Sequence, residues 1–152
     1  LRIYFYRIDA SGRLFHENSE LTDKKFLDFF FTHLEKNQTG KYPEYAYISP
    51  CGKEMNFVQT EHYPVLFKHR IGDKLYYGGE KGTLFQPENL KFDLFGNLLH
   101  PFQNEIWGRI STEVLLDPEL EWRESPENWN LIWNGKNFLI PKFDPANPSD
   151  LV

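Results

Sequence analysis

Apolar and polar positions alternate with a period of two along most of this chain, and only one stretch keeps a helical period. "RIYFYRI" (2–8) is a β-rich run that enters "DASG" and continues as "RLFHE", the pattern of a hairpin. Asp9 at the first turn position offers its carboxylate to a backbone N–H two residues on, and Gly12 at the fourth accepts positive φ at little steric cost. The octapeptide "DASGRLFH" (9–16) returns 84 positions later as "DLFGNLLH" (93–100), with Asp, Gly, Leu and His in register. We read this pair as one turn built twice: Asp9, Gly12, Asp93 and Gly96 serve the turns, and Leu14 and Leu98 point to the core. "IWNGKNFLI" predicts a third hairpin through Asn134-Gly135, a type I′ signal.

The helical stretch follows the first hairpin. Thr22 is placed to cap it, and Phe26, Leu27, Phe30, Phe31 and Leu34 fall on one face with Asp28, Glu35 and Lys36 opposite, until "NQTG" stops it. Short strand-like runs come next: "EYAYIS", "MNFVQT", "PVLFKHR", "KLYYGG", "TLFQ" and "LKFD", separated by Gly, Pro and charged turns. This order predicts an α+β fold of mainly antiparallel sheet with one long amphipathic helix. We divide it into two small fused lobes, 1–75 (α+β) and 76–142 (mainly β), free to share one core, with an extended proline-rich tail at 143–152.

Composition adds bulk to this picture. Aromatic residues make up 17% of the 152 positions, fourteen Phe, eight Tyr and four Trp, which lets a small core bury much area without disulfides. A single cysteine, Cys51, rules out an intrachain bridge. No run nears the roughly 18 consecutive apolar residues of a membrane helix, so no membrane association is expected. Because the chain starts at Leu1 without an initiator Met, a segment trimmed from a longer protein is expected.

The net charge of −5 is concentrated: residues 113–128, "EVLLDPELEWRESPEN", hold six acids and one base, and the remainder is balanced. A nucleic-acid partner, which requires clustered Lys and Arg, is therefore set aside. The acidic segment reads first as a solvated surface, with a basic protein partner as the functional alternative. The oligomeric state is not encoded in this pattern. Trp107, Trp122, Trp129 and Trp133 crowd the last third; Trp129 and Trp133 read as core, and Trp122 as an interface candidate.

"YFYRIDASGRLF", "FLDFFFTHLEKN" followed by "GKY", "YISPCGKEMNF", "PVLFKH", "LYYGGE" and "GNLLHP" together resemble an uncharacterised protein family with members in bacteria and animal mitochondria. "SPCGKEMNF", of the form SPCG[KR]E-x-NF, is its most specific piece. The resemblance covers roughly residues 4 to 116 and implies no reaction, since the family's function is unknown. It implies a cytoplasmic protein in a bacterium and a mitochondrial-matrix protein in an animal. "TEHYPVLF", with Glu61 and Pro64 in place and His62 and Tyr63 departing, is similar to a motif of a second uncharacterised bacterial family. That likeness implies two α+β lobes, a structural duplication, strands reminiscent of pleckstrin-homology sheets, and a ligand cleft between lobes.

Candidate chemistry centres on Cys51. Pro50 and Gly52 place it in a turn, Lys53 favours its thiolate, and His69 on a later strand is the candidate base of a cysteine-dependent hydrolase or transferase. No third orienting residue is identified by spacing. The histidines show no zinc spacing, so no metal and no cofactor are expected. His16 and His100 meet if the two hairpins pack symmetrically; otherwise each is a strand-end residue among aromatics. "GGEKG" (78–82) offers backbone N–H groups that cradle an anion beside Lys81, although a plain connecting turn explains it better. The preferred reading is a module binding a small anionic or polar ligand through Cys51, Lys53, Glu54, Asn56, His69, Tyr77 and His100. Catalysis is the alternative, and an interaction protein using residues 113–128 the third class.

Overall fold

The computed structural model describes residues 1–143 and 146. In chain order its elements are β1 (Arg2–Ile8), β2 (Leu14–His16), β3 (Ser19–Leu21), α1 (Lys24–Thr32), β4 (Glu35–Lys36), β5 (Tyr47–Cys51), β6 (Glu54–Thr60), β7 (Val65–Phe67), β8 (His69–Ile71), β9 (Lys74–Tyr76) and β10 (Thr83–Leu84). A short 3-10 turn at Pro87–Asn89 leads to β11 (Lys91–Phe92), β12 (Leu98–Pro101), β13 (Trp107–Ile110), α2 (Thr112–Leu115), β14 (Glu121–Glu124), β15 (Asn128–Trp133) and β16 (Lys136–Pro141). The strands form a six-stranded sheet, β3-β2-β1-β6-β5-β4, a four-stranded sheet, β11-β12-β13-β7, and two three-stranded meanders, β10-β9-β8 and β14-β15-β16. Most neighbours are antiparallel; β1 with β6 and β13 with β7 are parallel.

Sheets dominate, so the fold lies closer to all-β than to the expected α+β with a long helix. The helix is nine residues, Lys24–Thr32, and Asp23 rather than Thr22 caps it, accepting from Phe26 N at 3.3 Å. It stops before the sequence pattern does because its C-terminal carbonyls are claimed from outside. Ser49 Oγ donates to Phe30 O at 2.6 Å, Gln103 Nε2 to Phe31 O and Thr32 O, and Asn104 Nδ2 to Leu34 O. Leu34 then enters the core from extended chain. The run "PVLFKHR" is likewise two strands: Val65 and Phe67 are buried, the alternation slips at Lys68, and Arg70 is the next buried position. A slip of one residue sends the two halves to different sheets, β7 beside β13 and β8 beside β9.

The duplicated octapeptides form the same turn twice. Asp9 Oδ1 accepts from Ser11 N and Arg13 N, and Gly12 N donates to Asp9 O; Asp93 Oδ1 accepts from Phe95 N and Asn97 N, and Gly96 N donates to Asp93 O. Gly12 and Gly96 have φ of +76° and +81°. The repetition extends past the turn: three strands, a helix and three strands run β1-β2-β3-α1-β4-β5-β6, and again β11-β12-β13-α2-β14-β15-β16. In the first unit β1 pairs with β6, and in the second the counterpart β11 lies beside β16. One buried cluster runs through both, from Ile8, Leu14, Phe30 and Val58 to Leu98, Ile110, Leu131 and Ile140. The expected tail, 143–152, falls outside the described residues save for Phe143 and Ala146.

Candidate functional site

The hairpin β5-β6 turns through Gly52 and Lys53, with Gly52 at φ +61° and Cys51 opposite Glu54. Strand alternation then puts Ser49 and Cys51 of β5 on one face with Glu54 and Asn56 of β6. Register adds Arg2, Tyr4 and Tyr6 from β1, because Arg2 pairs with Glu54, Tyr4 with Asn56 and Tyr6 with Val58; His16 joins opposite Tyr6. Helix α1 covers the inner part of this face, where Tyr6 meets the Phe30 ring at 4.9 Å. Beyond it the face is polar and half-buried.

Within this group Arg2 and Glu54 form an ion pair at 3.1 Å, His16 packs on Tyr4 and Tyr6, and Cys51 Sγ lies 3.6 Å from Ser49 Oγ. Burial, then the nearby Glu54 and Cys51, push the Tyr6 phenol above its usual range, so it stays a neutral donor. Asn56 is 2% exposed. Its Nδ2 donates to Ser49 O at 3.0 Å, while its Oδ1 has no partner, alone among buried side-chain polar atoms of the described residues. Such an acceptor ordinarily costs about 1–3 kcal/mol, and an unpaired one in a folded protein calls for an explanation.

The other expected site residues lie elsewhere. Lys53 sits at the exposed hairpin tip. His69, on β8, faces Glu113 Oε1 at 3.3 Å in a recess of about 480 Å³ that Ile71, Leu116 and Asp117 also line. Cys51 and His69 thus belong to different sheets with different partners, and the geometry of a thiol and its general base is not assembled. His100 is fully buried between Phe67 and Phe85, away from His16; its Nε2 accepts from Gln86 N at 2.9 Å.

Tyr77 belongs to a structural latch. Asp28, which the sequence pattern puts on the solvent side of α1, is buried and accepts from Tyr77 OH at 3.0 Å, Glu80 N at 2.8 Å and Lys81 N at 3.2 Å. Burial and this bond raise the Tyr77 phenol well above its usual range. The amides of "GGEKG" therefore do hold an anion, and the anion is the protein's own. A Cβ on Gly79 would overlap the Asp28 carboxylate, which accounts for that glycine. An acid inside the otherwise apolar run "FLDFFF" is the signal that marks Asp28.

Several acids of the acidic segment have partners. Glu113 faces His69, Asp117 and Glu119 reach Arg70, Glu121 pairs with Arg123, and Glu124 with Lys142. Arg70 is 2% exposed at its side chain and also lies 5.7 Å from the Trp133 ring. Among the described residues no group of three or more His, Cys, Asp or Glu is arranged to hold a metal ion, and no helix is long and apolar enough to cross a membrane.

Two solved structures share this fold. A DUF1285 family protein from Silicibacter pomeroyi DSS-3 superposes with a TM-score of 0.60 at 11% identity, over 92% of this chain and 81% of that one. A DUF1285 family protein from Shewanella baltica OS155 gives 0.50 at 20% identity, over 72% and 85%. At such identities the likeness speaks for the fold alone. The sequence itself matches a family over residues 1–141, nearly the whole described chain, and on that match the protein belongs to DUF4505, a domain of unknown function.

Proposed function

We propose that the protein is a binding module for a small polar ligand, seated where Ser49, Cys51, Glu54 and Asn56 meet Tyr4, Tyr6 and His16. One observation carries this reading: the buried, unpaired Oδ1 of Asn56, on a face it shares with the Tyr6 phenol and the free thiol of Cys51. A ligand N–H or O–H would satisfy that oxygen, while Tyr4 and His16 supply ring surface and the Arg2–Glu54 pair borders the open side. The "SPCGKE-x-NF" segment is then the part of the family resemblance that builds the site, since its alternate positions 49, 51, 54 and 56 are the ones that share the face. The repeated seven-element unit fits two fused lobes of which only the first carries these residues.

The test uses isotopically labelled protein titrated with acetamide and imidazole, two small molecules that present N–H donors. Saturable amide shifts are expected at residues 49–56 and at Tyr4, Tyr6 and His16, absent in Asn56→Leu. Saturable shifts confined to the His69 recess, or unchanged by the substitution, would remove the proposal.

A further inference from the structure

The two Asp turns are alike in backbone and unlike in charge. At the first, Asp9 Oδ2 receives the Arg13 guanidinium at 2.8 Å, so the carboxylate is balanced by a cation. At the second, the residue 84 positions on is Asn97, and Asp93 Oδ2 receives the neutral Asn97 Nδ2 at 2.9 Å and Tyr63 OH at 2.8 Å. Asp93 is 3% exposed, and no cation pairs with it among the described residues. Burial opposes its ionisation, yet the Asn97, Tyr63 and Phe95 donors together hold it below the usual carboxylate range, so a net negative charge stays there.

Against that charge lies a recess of about 240 Å³ lined by Tyr47, His62, Tyr63, Asp93 and Phe95. His62 and Tyr63 stack at 5.5 Å, and Phe95 stands at the turn tip with 83% of its surface exposed, its ring available to a ligand. Tyr63 hydrogen-bonds to an anion, which raises the electron density of its ring and so strengthens its face toward a cation. Both carboxylate oxygens of Asp93 are already engaged by donors. An ammonium ion carrying N–H groups would find both Asp93 oxygens already taken, whereas a cation that needs no acceptor would meet the rings that line the recess and an uncompensated charge beside them. We infer that this recess binds a quaternary or fully methylated ammonium group. The inference is independent of the Asn56 site, which draws on other residues.

The chemistry is shared by a free amine such as choline and a trimethylated lysine side chain. The experiment follows amide shifts of Tyr47, Tyr63 and Phe95 during titration with choline, with a trimethyl-lysine peptide, and with 3,3-dimethylbutan-1-ol, the neutral isostere of choline. Saturable binding of choline or of the peptide is expected, at least about tenfold tighter than the neutral alcohol, and the tighter of the two identifies the source. Phe95→Ala, which alters an exposed side chain, weakens binding about tenfold. Asp93→Asn, which retains an oxygen for the turn amides, weakens it several-fold. Equal binding of the alcohol, no saturable shift with either cation, or full affinity in Phe95→Ala overturns the inference.

Discussion

At the scale of single residues, the buried polar side chains among the described residues each have a defined backbone task. Asp28 takes the amides of a glycine-rich loop, Ser49 a helix carbonyl, and His100 the N–H of Gln86. His100 Nε2 is an acceptor, so its proton is on Nδ1, which donates to Pro101 O at 2.7 Å. Burial, the largest effect, pushes its pKa below the usual imidazole value; the bond to Pro101 and nearby Glu88 oppose the shift without overcoming it. A group whose folded pKa is depressed contributes stability that is complete above its unfolded pKa, roughly 6.5, and is lost as pH falls through the folded value. The melting temperature is therefore expected to hold from pH 8 to 7 and to fall below about pH 6.5. His100→Phe is expected to melt lower at pH 8, because Gln86 N–H loses its acceptor, and to show a smaller decline on acidification. A gap between the two proteins that stays constant from pH 8 to 5 would count against this assignment.

At the scale of elements, the turn glycines separate two costs that sequence alone merges. Both need positive φ, worth about 1–2 kcal/mol against a residue with a Cβ. Their surroundings differ: a Cβ at Gly12 would lie 2.9 Å from Leu66 Cβ, whereas at Gly96 nothing lies within 4 Å. Gly12→Ala is thus expected to lose measurably more stability in urea than Gly96→Ala, since Leu66 Cβ cannot rotate away. Equal losses would mean that the first turn does not rest on β7. What the sequence makes legible follows the same division. Hairpins announce themselves through local chemistry, and all three form, with Asn134 and Gly135 both at positive φ as a type I′ turn requires. The helix length was not legible, because its end is decided by Ser49, Gln103 and Asn104, far along the chain. Of the proposed site, "SPCGKEMNF" leads to Cys51, Glu54 and Asn56, since alternation in one hairpin is a local property. Tyr4, Tyr6 and His16 were missed as members because they arrive only through the β1-β6 register, and the Asp93 recess because it depends on comparing two turns in their surroundings.

At the scale of the whole molecule, the two repeated units hold one another. The loop at Gln103 and Asn104 closes the end of α1, Arg109 reaches Ala10 O at 2.8 Å, and a single buried cluster spans Ile8 to Ile140. Such sharing predicts one cooperative transition rather than two, and the placement of chromophores allows the point to be tested without labels. All four tryptophans lie between residues 107 and 133, so their fluorescence follows the second unit. Far-UV ellipticity follows the strands of both units together with α1 in the first, so it reports on the whole molecule. The two signals are expected to give one midpoint in urea. Asp28→Ala provides the stringent case, because it leaves the buried Tyr77 OH without its acceptor and releases the amides of Glu80 and Lys81 from α1, and it is expected to cost about 1–3 kcal/mol. The carbonyl clamps and the common core survive that change, so both midpoints should fall together. Fluorescence and ellipticity midpoints that part company, in the parent protein or in Asp28→Ala, would show that each unit folds on its own core and that the contacts between them are docking rather than shared folding.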